Sequence, residues 1–331
     1  MSDSTVDTAS LASRVREMHR MLDRIRGEIG RVIVGQQPLV ERLLIGLLTR
    51  GHILIEGVPG LAKTSAVKAL AASVNARFKR IQFTPDLLPA DLIGTEVFQP
   101  RSGDFTVRKG PLFHNIILAD EINRAPSKVQ AALLEAMQER QVTIGDQTYP
   151  LEEPFLVLAT QNPIEQEGTY ALPEAQVDRF LMKVVVGYPA RGEEKDIVRR
   201  AGALQPAGAA AVAERAEIEA ATALIDGIHV EESVLDYLVD LVAATRNPAQ
   251  YDPALAPLVQ FGASPRGSIC LSLAGRAHAF LEGRSYLTPH DIRSVAPDVL
   301  RHRILLTYEA QAENATAEQI VGRLLDRIPV P

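Results

Sequence analysis

The run Gly57-Val58-Pro59-Gly60-Leu61-Ala62-Lys63-Thr64 does most to limit what this chain can become. It follows the apolar run His-Ile-Leu-Ile-Glu from His52 to Glu56, which suits a buried strand. It leads into a helix-forming segment from Lys63 to about Asn75. A strand, a glycine-bearing loop and a helix in that order make a cradle for phosphate. Small residues let backbone N–H groups curl around the anion, and the helix N-terminus points at it. Lys63 adds a mobile cation and Thr64 a hydroxyl suited to Mg²⁺, so the candidate binding loop runs from Gly57 through Ser65. Ala62 stands where this pattern usually carries its second glycine. Alanine is small, so the loop is expected to close around it.

The chain around this loop alternates apolar strands with helices. Phe78, Ile81 and Phe83 mark a strand; Ile116 to Leu118, Phe155 to Ala159 and Met182 to Val186 mark three more. A helix is expected from Pro126 to Glu139, with Val129, Leu133, Ala136 and Met137 at helical spacing. Alternation of this kind predicts an α/β fold, a parallel sheet covered by helices on both faces, with right-handed crossovers. Ile116-Ile117-Leu118-Ala119 delivers Asp120 and Glu121 at its C-terminal end, the ligand end of such a sheet. Asp120 is expected to hold the water shell of a metal, and Glu121 to orient an attacking water. The strand from Phe155 runs into Thr160-Gln161-Asn162-Pro163, which places the Asn162 amide at the same edge. Phosphoryl transfer also calls for a cation on the developing charge. Arg179, just before the last strand, and Arg266, in Ser264-Pro265-Arg266-Gly267, are the two candidates; a lone arginine is usually a surface residue, and only the whole constellation singles these out.

Upstream, Leu11, Val15, Met18, Leu22, Ile25 and Ile29 recur at steps of four and three, one stripe of a helix. A second helix begins at Pro38 with Val40, Leu43, Leu44, Leu47 and Leu48 on its buried face. Residues 1–10 are expected to form a disordered tail. Gly94–Lys109 and Val142–Leu151 read as hairpin-like inserts, the second turning at Gly145-Asp146. After Tyr188-Pro189 the strand signals fade and alanine-rich helical segments take over, near residues 191–203, 218–227, 231–245, 266–283 and 291–306. This divides the chain into an α/β core at 11–189 and an all-helical domain at 190–331, with a loose connection at 205–213.

Composition narrows the function. Of 331 residues, 46% are hydrophobic and 23% charged, so the chain can bury a core. The net charge of -6, the absence of tryptophan and 5% aromatic residues argue against a standing grip on nucleic acid. Cys270 is the single cysteine, which excludes an internal disulfide and reads as a small buried hydrophobe. The histidines show no metal-ligand spacing. No stretch approaches a bilayer span and the N-terminus lacks the marks of a signal peptide, so a cytoplasmic protein is expected.

Taken together, GVPGLAKT, LADEINRAPSKVQAALLEAMQERQVTIG, ATQNPIEQEGTYALPEAQVDRF and GASPRGS resemble the AAA+ ATPases, and within them the MoxR family. The resemblance runs from residue 57 to 268. It implies a P-loop AAA+ core with a five-stranded parallel sheet, a helix-2 insert at 94–109, a pre-sensor-1 hairpin at 142–151 and a helical lid. It implies that Lys63 and Thr64 are the Walker A cation and metal hydroxyl, Asp120 and Glu121 the Walker B pair, and Asn162 sensor 1. Arg179 looks like an arginine finger for a neighbouring subunit's ATP, and Arg266 like sensor 2. Arg124 is assigned to the subunit interface, and Val34-Gly35-Gln36 resembles the segment bordering the adenine. An arginine supplied by a neighbour implies a homo-oligomeric ring, a hexamer. ATP and Mg²⁺ are the implied cofactors. Family membership implies a chaperone of protein complexes working with a protein that bears a von Willebrand factor A domain. The competing readings are a magnesium-chelatase-like or nucleic-acid-remodelling motor, and a nucleotide-gated binding module without turnover. The intact Asp120-Glu121 pair argues against the module.

Overall fold

The computed structural model describes residues 8–58, 60–162, 169–201 and 208–331. Two compact units are present. One comprises Arg24–Arg179 and Val184–Glu219; the other comprises the N-terminal helix as far as Asp23, Phe180–Lys183 and Ala220–Pro331. The division is therefore not a single cut near residue 189. The segment 184–219 clusters with the core, and the first half of the N-terminal helix does not.

In chain order the first elements are α1 (Thr8–Val32), α2 (Gln37–Leu48), β1 (Ile53–Glu56), α3 (Lys63–Ser73), β2 (Phe78–Gln82) and α4 (Pro89–Ile93). Then come β3 (Gly94–Phe98), β4 (Phe105–Lys109), β5 (Ile116–Asp120), α5 (Ser127–Glu139), β6 (Gln141–Ile144), β7 (Gln147–Pro150) and β8 (Leu156–Gln161). α6 (Glu174–Val177), β9 (Met182–Val185), α7 (Arg191–Ala201) and α8 (Arg215–Ile225) complete the first two-thirds. Residues 1–7, most of the expected tail, and 202–207, which take in the end of the helix expected at 191–203 and residues 205–207 of the expected loose connection, lie outside the described residues; residues 8–10 are helical.

The main sheet has the order β2-β5-β8-β1-β9, and β2–β5, β5–β8 and β8–β1 pair in parallel. β1, β5 and β8 are buried along almost their whole length, which explains why they read as continuous apolar runs rather than alternating ones. β2 lies at the edge and exposes Lys79, Arg80 and Gln82. Register aligns Gln82 with Asp120 and Ala119 with Ala159, so the C-terminal ends of β2, β5 and β8 finish together. The stripe of α1 is buried as read, except that Met21 replaces Met18 as the fully packed methionine. Both inserts are antiparallel hairpins, β3–β4 and β6–β7. They meet at Gly145, where a Cβ would lie 2.4 Å from the Glu96 carboxylate.

The other unit is carried by α9 (Glu232–Arg246), α10 (Pro265–Leu281), α11 (Pro289–Leu300), α12 (Tyr308–Ala312) and α13 (Ala317–Arg327). It also holds a short ribbon, β10 (Val259–Phe261) against β11 (Leu305–Leu306), so it is not wholly helical. The helix expected to run to Leu306 stops at Leu300, because the chain turns back to pair with β10. The start of α11 is held by Asp291. Its carboxylate is fully buried, accepts from the Thr288 backbone N–H at 2.8 Å and hydroxyl at 2.6 Å, and pairs with Arg284 at 2.5 Å. These bonds to Arg284, His278 and Thr288 overcome the cost of burial and hold the Asp291 carboxyl well below the usual carboxylate range.

Candidate active site

The loop between β1 and α3 is shaped by close approach and by handedness. A Cβ on Gly57 would sit 2.8 Å from the Val186 carbonyl oxygen, so only glycine lets the strand end run past that peptide. Gly60 has φ +87° and Ala62 φ +56°. The position that usually carries the second glycine thus needs left-handed backbone, and the demand on Ala62 is conformational rather than one of size. Pro59 lies outside the described residues. Leu61, Ala62, Lys63, Thr64 and Ser65 line a cleft of about 390 Å³ with Gly57, Gly60, Arg80, Asp120, Glu121, Thr160, Gln161 and Asn162. Lys63 is half-buried, and its ammonium donates to the Gly57 carbonyl at 2.5 Å. Burial lowers its pKa from the usual lysine value, opposed by the charges of Asp120, Glu121 and Glu56.

The acidic end of β5 is part of a hydrogen-bonded chain. Asp120 Oδ1 accepts from the Thr160 hydroxyl at 2.5 Å. Asp120 Oδ2 accepts from Arg80 Nε at 2.9 Å and Nη2 at 2.6 Å. Arg80 Nη2 also donates to Gln82 Oε1 at 2.8 Å, and Gln82 Nε2 donates to Glu121 Oε2 at 2.8 Å. Glu121 itself has φ +57°, and its backbone N–H donates to Thr160 Oγ1 at 2.9 Å. Thr160 is almost fully buried, so one hydroxyl fixes the aspartate and turns the peptide that carries the glutamate. Arg124 Nε lies 3.3 Å from Glu121 Oε2, a contact inside one chain where the sequence suggested an intersubunit role.

Sequence reasoning missed Arg80, Gln82 and Thr160. Thr160 lies two residues before Asn162 in a quoted motif, and its small buried hydroxyl was the available signal. Arg80 and Gln82 carry no local signal beyond polar residues spaced by two on an edge strand. Asn162 is 8% exposed and lines the cleft. Val34 and Gly35 do not line it. Gly35 has φ +66°, and a Cβ there would meet the Glu193 carboxylate at 2.4 Å, while Gln36 Nε2 donates to the Gly187 carbonyl at 3.0 Å. Arg179 follows the short α6 and is half-exposed; its side chain makes no hydrogen bond or ion pair among the described residues. Arg266 is exposed in the first turn of α10, in the other unit.

The Thr64 hydroxyl and the Asp120 carboxylate are among the oxygen donors that line this cleft and could face a metal. Among the described residues no group of three or more His, Cys, Asp or Glu side chains could hold a metal ion by itself. That donor set fits Mg²⁺, a hard cation usually held by one or two protein oxygens together with water and substrate phosphates.

Comparison with known proteins shows the family. The model of the ATPase family associated with various cellular activities (AAA) matches residues 52–182, and that of the AAA lid domain matches residues 254–324. Chaperone MoxR1 of Mycobacterium tuberculosis is 49% identical over 316 residues, covering 95% of this chain and 83% of that protein. Protein MoxR of Paracoccus denitrificans is 34% identical over 343 residues, covering 96% and 99%. The crystal structure of an ATPase candidate from Cytophaga hutchinsonii superposes with a TM-score of 0.92 at 48% identity, covering 98% of each chain.

Proposed function

The chain belongs to the MoxR family of AAA+ ATPases, and from that premise we propose that it is a Mg²⁺-dependent ATPase that works as a ring-forming chaperone of protein complexes. The observation that carries the proposal is the Thr160–Asp120–Arg80–Gln82–Glu121 chain at the mouth of the phosphate cleft. It holds one carboxylate for a metal and aims a second beside it. Bound ATP and Mg²⁺ would supply the phosphoryl group and the cation that neutralises its charge. The N–H groups of the loop from Gly60 to Ser65 and the N-terminus of α3 would bind the phosphates, and the Lys63 ammonium would steady the charge that builds on them. Thr64 and Asp120 would hold the metal. Glu121 orients and polarises the attacking water, with Asn162 beside it. Arg179 acts on the site of the next subunit, Arg266 links the lid to the nucleotide, and Val34 and Gly35 border the adenine.

The remainder rests on the family resemblance and on the inserts. A ring, with six subunits expected, follows from a site completed by a neighbour's arginine. The β3–β4 hairpin exposes Phe98 (51%) and Phe105 (65%) as an aromatic pair with ring centroids 5.3 Å apart, which suits contact with a protein client. The likeness to MoxR proteins supports a partner bearing a von Willebrand factor A domain. No described helix is long and apolar enough to cross a membrane.

The test is ATP turnover per chain, measured with Mg²⁺ against protein concentration. The rate is expected to climb with concentration and to collapse in Arg179→Ala. Glu121→Gln should abolish turnover while leaving nucleotide binding intact. A rate that stays constant down to demonstrably monomeric protein would overturn the shared site.

A further inference from the structure

Arg303, three residues past the end of α11, is 6% exposed, and its guanidinium reaches the main chain next to Arg179. Nη2 donates to the Phe180 carbonyl at 2.7 Å and to Cys270 Sγ at 3.3 Å. Nη1 donates to the Leu181 carbonyl at 3.2 Å and to the Val299 carbonyl. His302 Nε2 lies 3.2 Å from the same Phe180 oxygen and donates a second bond to it. Phe180 and Leu181 are themselves buried, and Phe180–Lys183 belong to the same compact unit as Arg303.

The planar fork of a guanidinium matches this task. Its rigidly spaced N–H groups satisfy two consecutive carbonyls at once, which a lysine ammonium at the end of a flexible stem does not reproduce. The peptides that follow Arg179 are therefore held from inside the fold. The Arg179 side chain, half-exposed, makes no hydrogen bond or ion pair among the described residues.

We propose that Arg303 is a positioning residue for Arg179: by clamping the Phe180 and Leu181 carbonyls it sets the direction in which Arg179 leaves the chain, and so presents it to the nucleotide of the next subunit. This rests on the trans role given to Arg179 above. Arg303 touches no nucleotide of its own subunit, so its loss damages the neighbour's site and not the site on the same chain.

That asymmetry supplies the test. Arg303→Lys is expected to assemble as the wild type does, and to bind a fluorescent ATP analogue with unchanged affinity. Its kcat should fall by roughly tenfold or more with KM for ATP unmoved, as for a weakened arginine finger. When it is mixed with Glu121→Gln subunits, turnover is expected to reappear. In a randomly mixed ring roughly a quarter of the sites then pair an intact Glu121 with an intact neighbouring Arg179 and its clamp. Arg179→Ala mixed with Glu121→Gln serves as the reference. Recovery in the reference but not with Arg303→Lys would overturn the positioning role, as would an Arg303→Lys protein of wild-type kcat. If neither mixture recovers, the trans role of Arg179 fails and the inference falls with it. Should Arg303→Lys not assemble, Arg303→Gln, which keeps an amide donor for Phe180, goes through the same mixing experiment with the same two outcomes.

Discussion

Ala62 and Glu121 both hold left-handed backbone, with φ of +56° and +57°, where a Cβ costs about 1–2 kcal/mol. At Glu121 the bond from its N–H to Thr160 compensates and places the carboxylate beside Gln82. At Ala62 the strain lies at the start of α3, the helix proposed to meet the phosphates. Ala62→Gly relieves the strain but loosens the unfolded chain, so the two effects nearly cancel. A change in unfolding free energy within about 1 kcal/mol and unaltered nucleotide binding are expected. Ala62→Val adds a branched side chain in a conformation it resists. It should cost roughly 2 kcal/mol and weaken nucleotide binding, as read by urea denaturation and by titration with a fluorescent nucleotide. The motif was legible in the residues; its strain was not, because φ is a property of the closed loop.

At the scale of elements, His52 joins three of them. Its Nδ1 accepts from the Val157 N–H of β8 at 3.0 Å, and its Nε2 donates to the Met137 carbonyl of α5 at 3.0 Å, just before β1 begins. Burial pushes the His52 pKa down to about 4, with the Arg140 charge helping, against the bond to Met137. The folded pKa lies below the usual histidine value, so the unfolded chain binds the proton more readily. Stability is fully present above pH about 6.5 and is lost as the pH falls toward 4. The whole effect is roughly 3 kcal/mol. Between pH 7.5 and 5, where carboxylates stay ionised, the urea midpoint should fall, and in His52→Gln it should fall less. Equal slopes in the two proteins would remove His52 from this role. The strand and helix pattern around His52 could be read from periodicity, but the histidine read only as structural. Its two bonds depend on elements far apart in the chain.

At the scale of the whole molecule, the net charge of -6 and the few aromatic residues leave little to attract a polyanion. Double-stranded DNA at physiological salt should therefore leave ATP turnover within about twofold of its rate without DNA, since such binding is driven by counterion release to cationic surfaces. A marked stimulation by DNA would favour a nucleic-acid motor instead. The composition of the two compact units shows why a single boundary could not be read along the chain. Residues 180–183 and the start of α1 cluster with the helical unit, and 184–219 with the sheet. Composition changes near residue 189, but compactness follows contacts and not local composition.

What the residues alone carried was the order of elements, the phosphate loop and the carboxylates at the end of β5. These depend on local patterns: an apolar run long enough for a strand, a loop of small residues, a helix start. Tertiary structure decided the partners. Arg80 reaches Asp120 because β2 and β5 are neighbours in register, Thr160 serves both acids because β8 lies on the other side of β5, and Arg303 finds Phe180 across more than a hundred residues of chain. Contacts of that kind leave no periodic trace in the sequence, since they are set by which elements pack together and not by spacing along the chain.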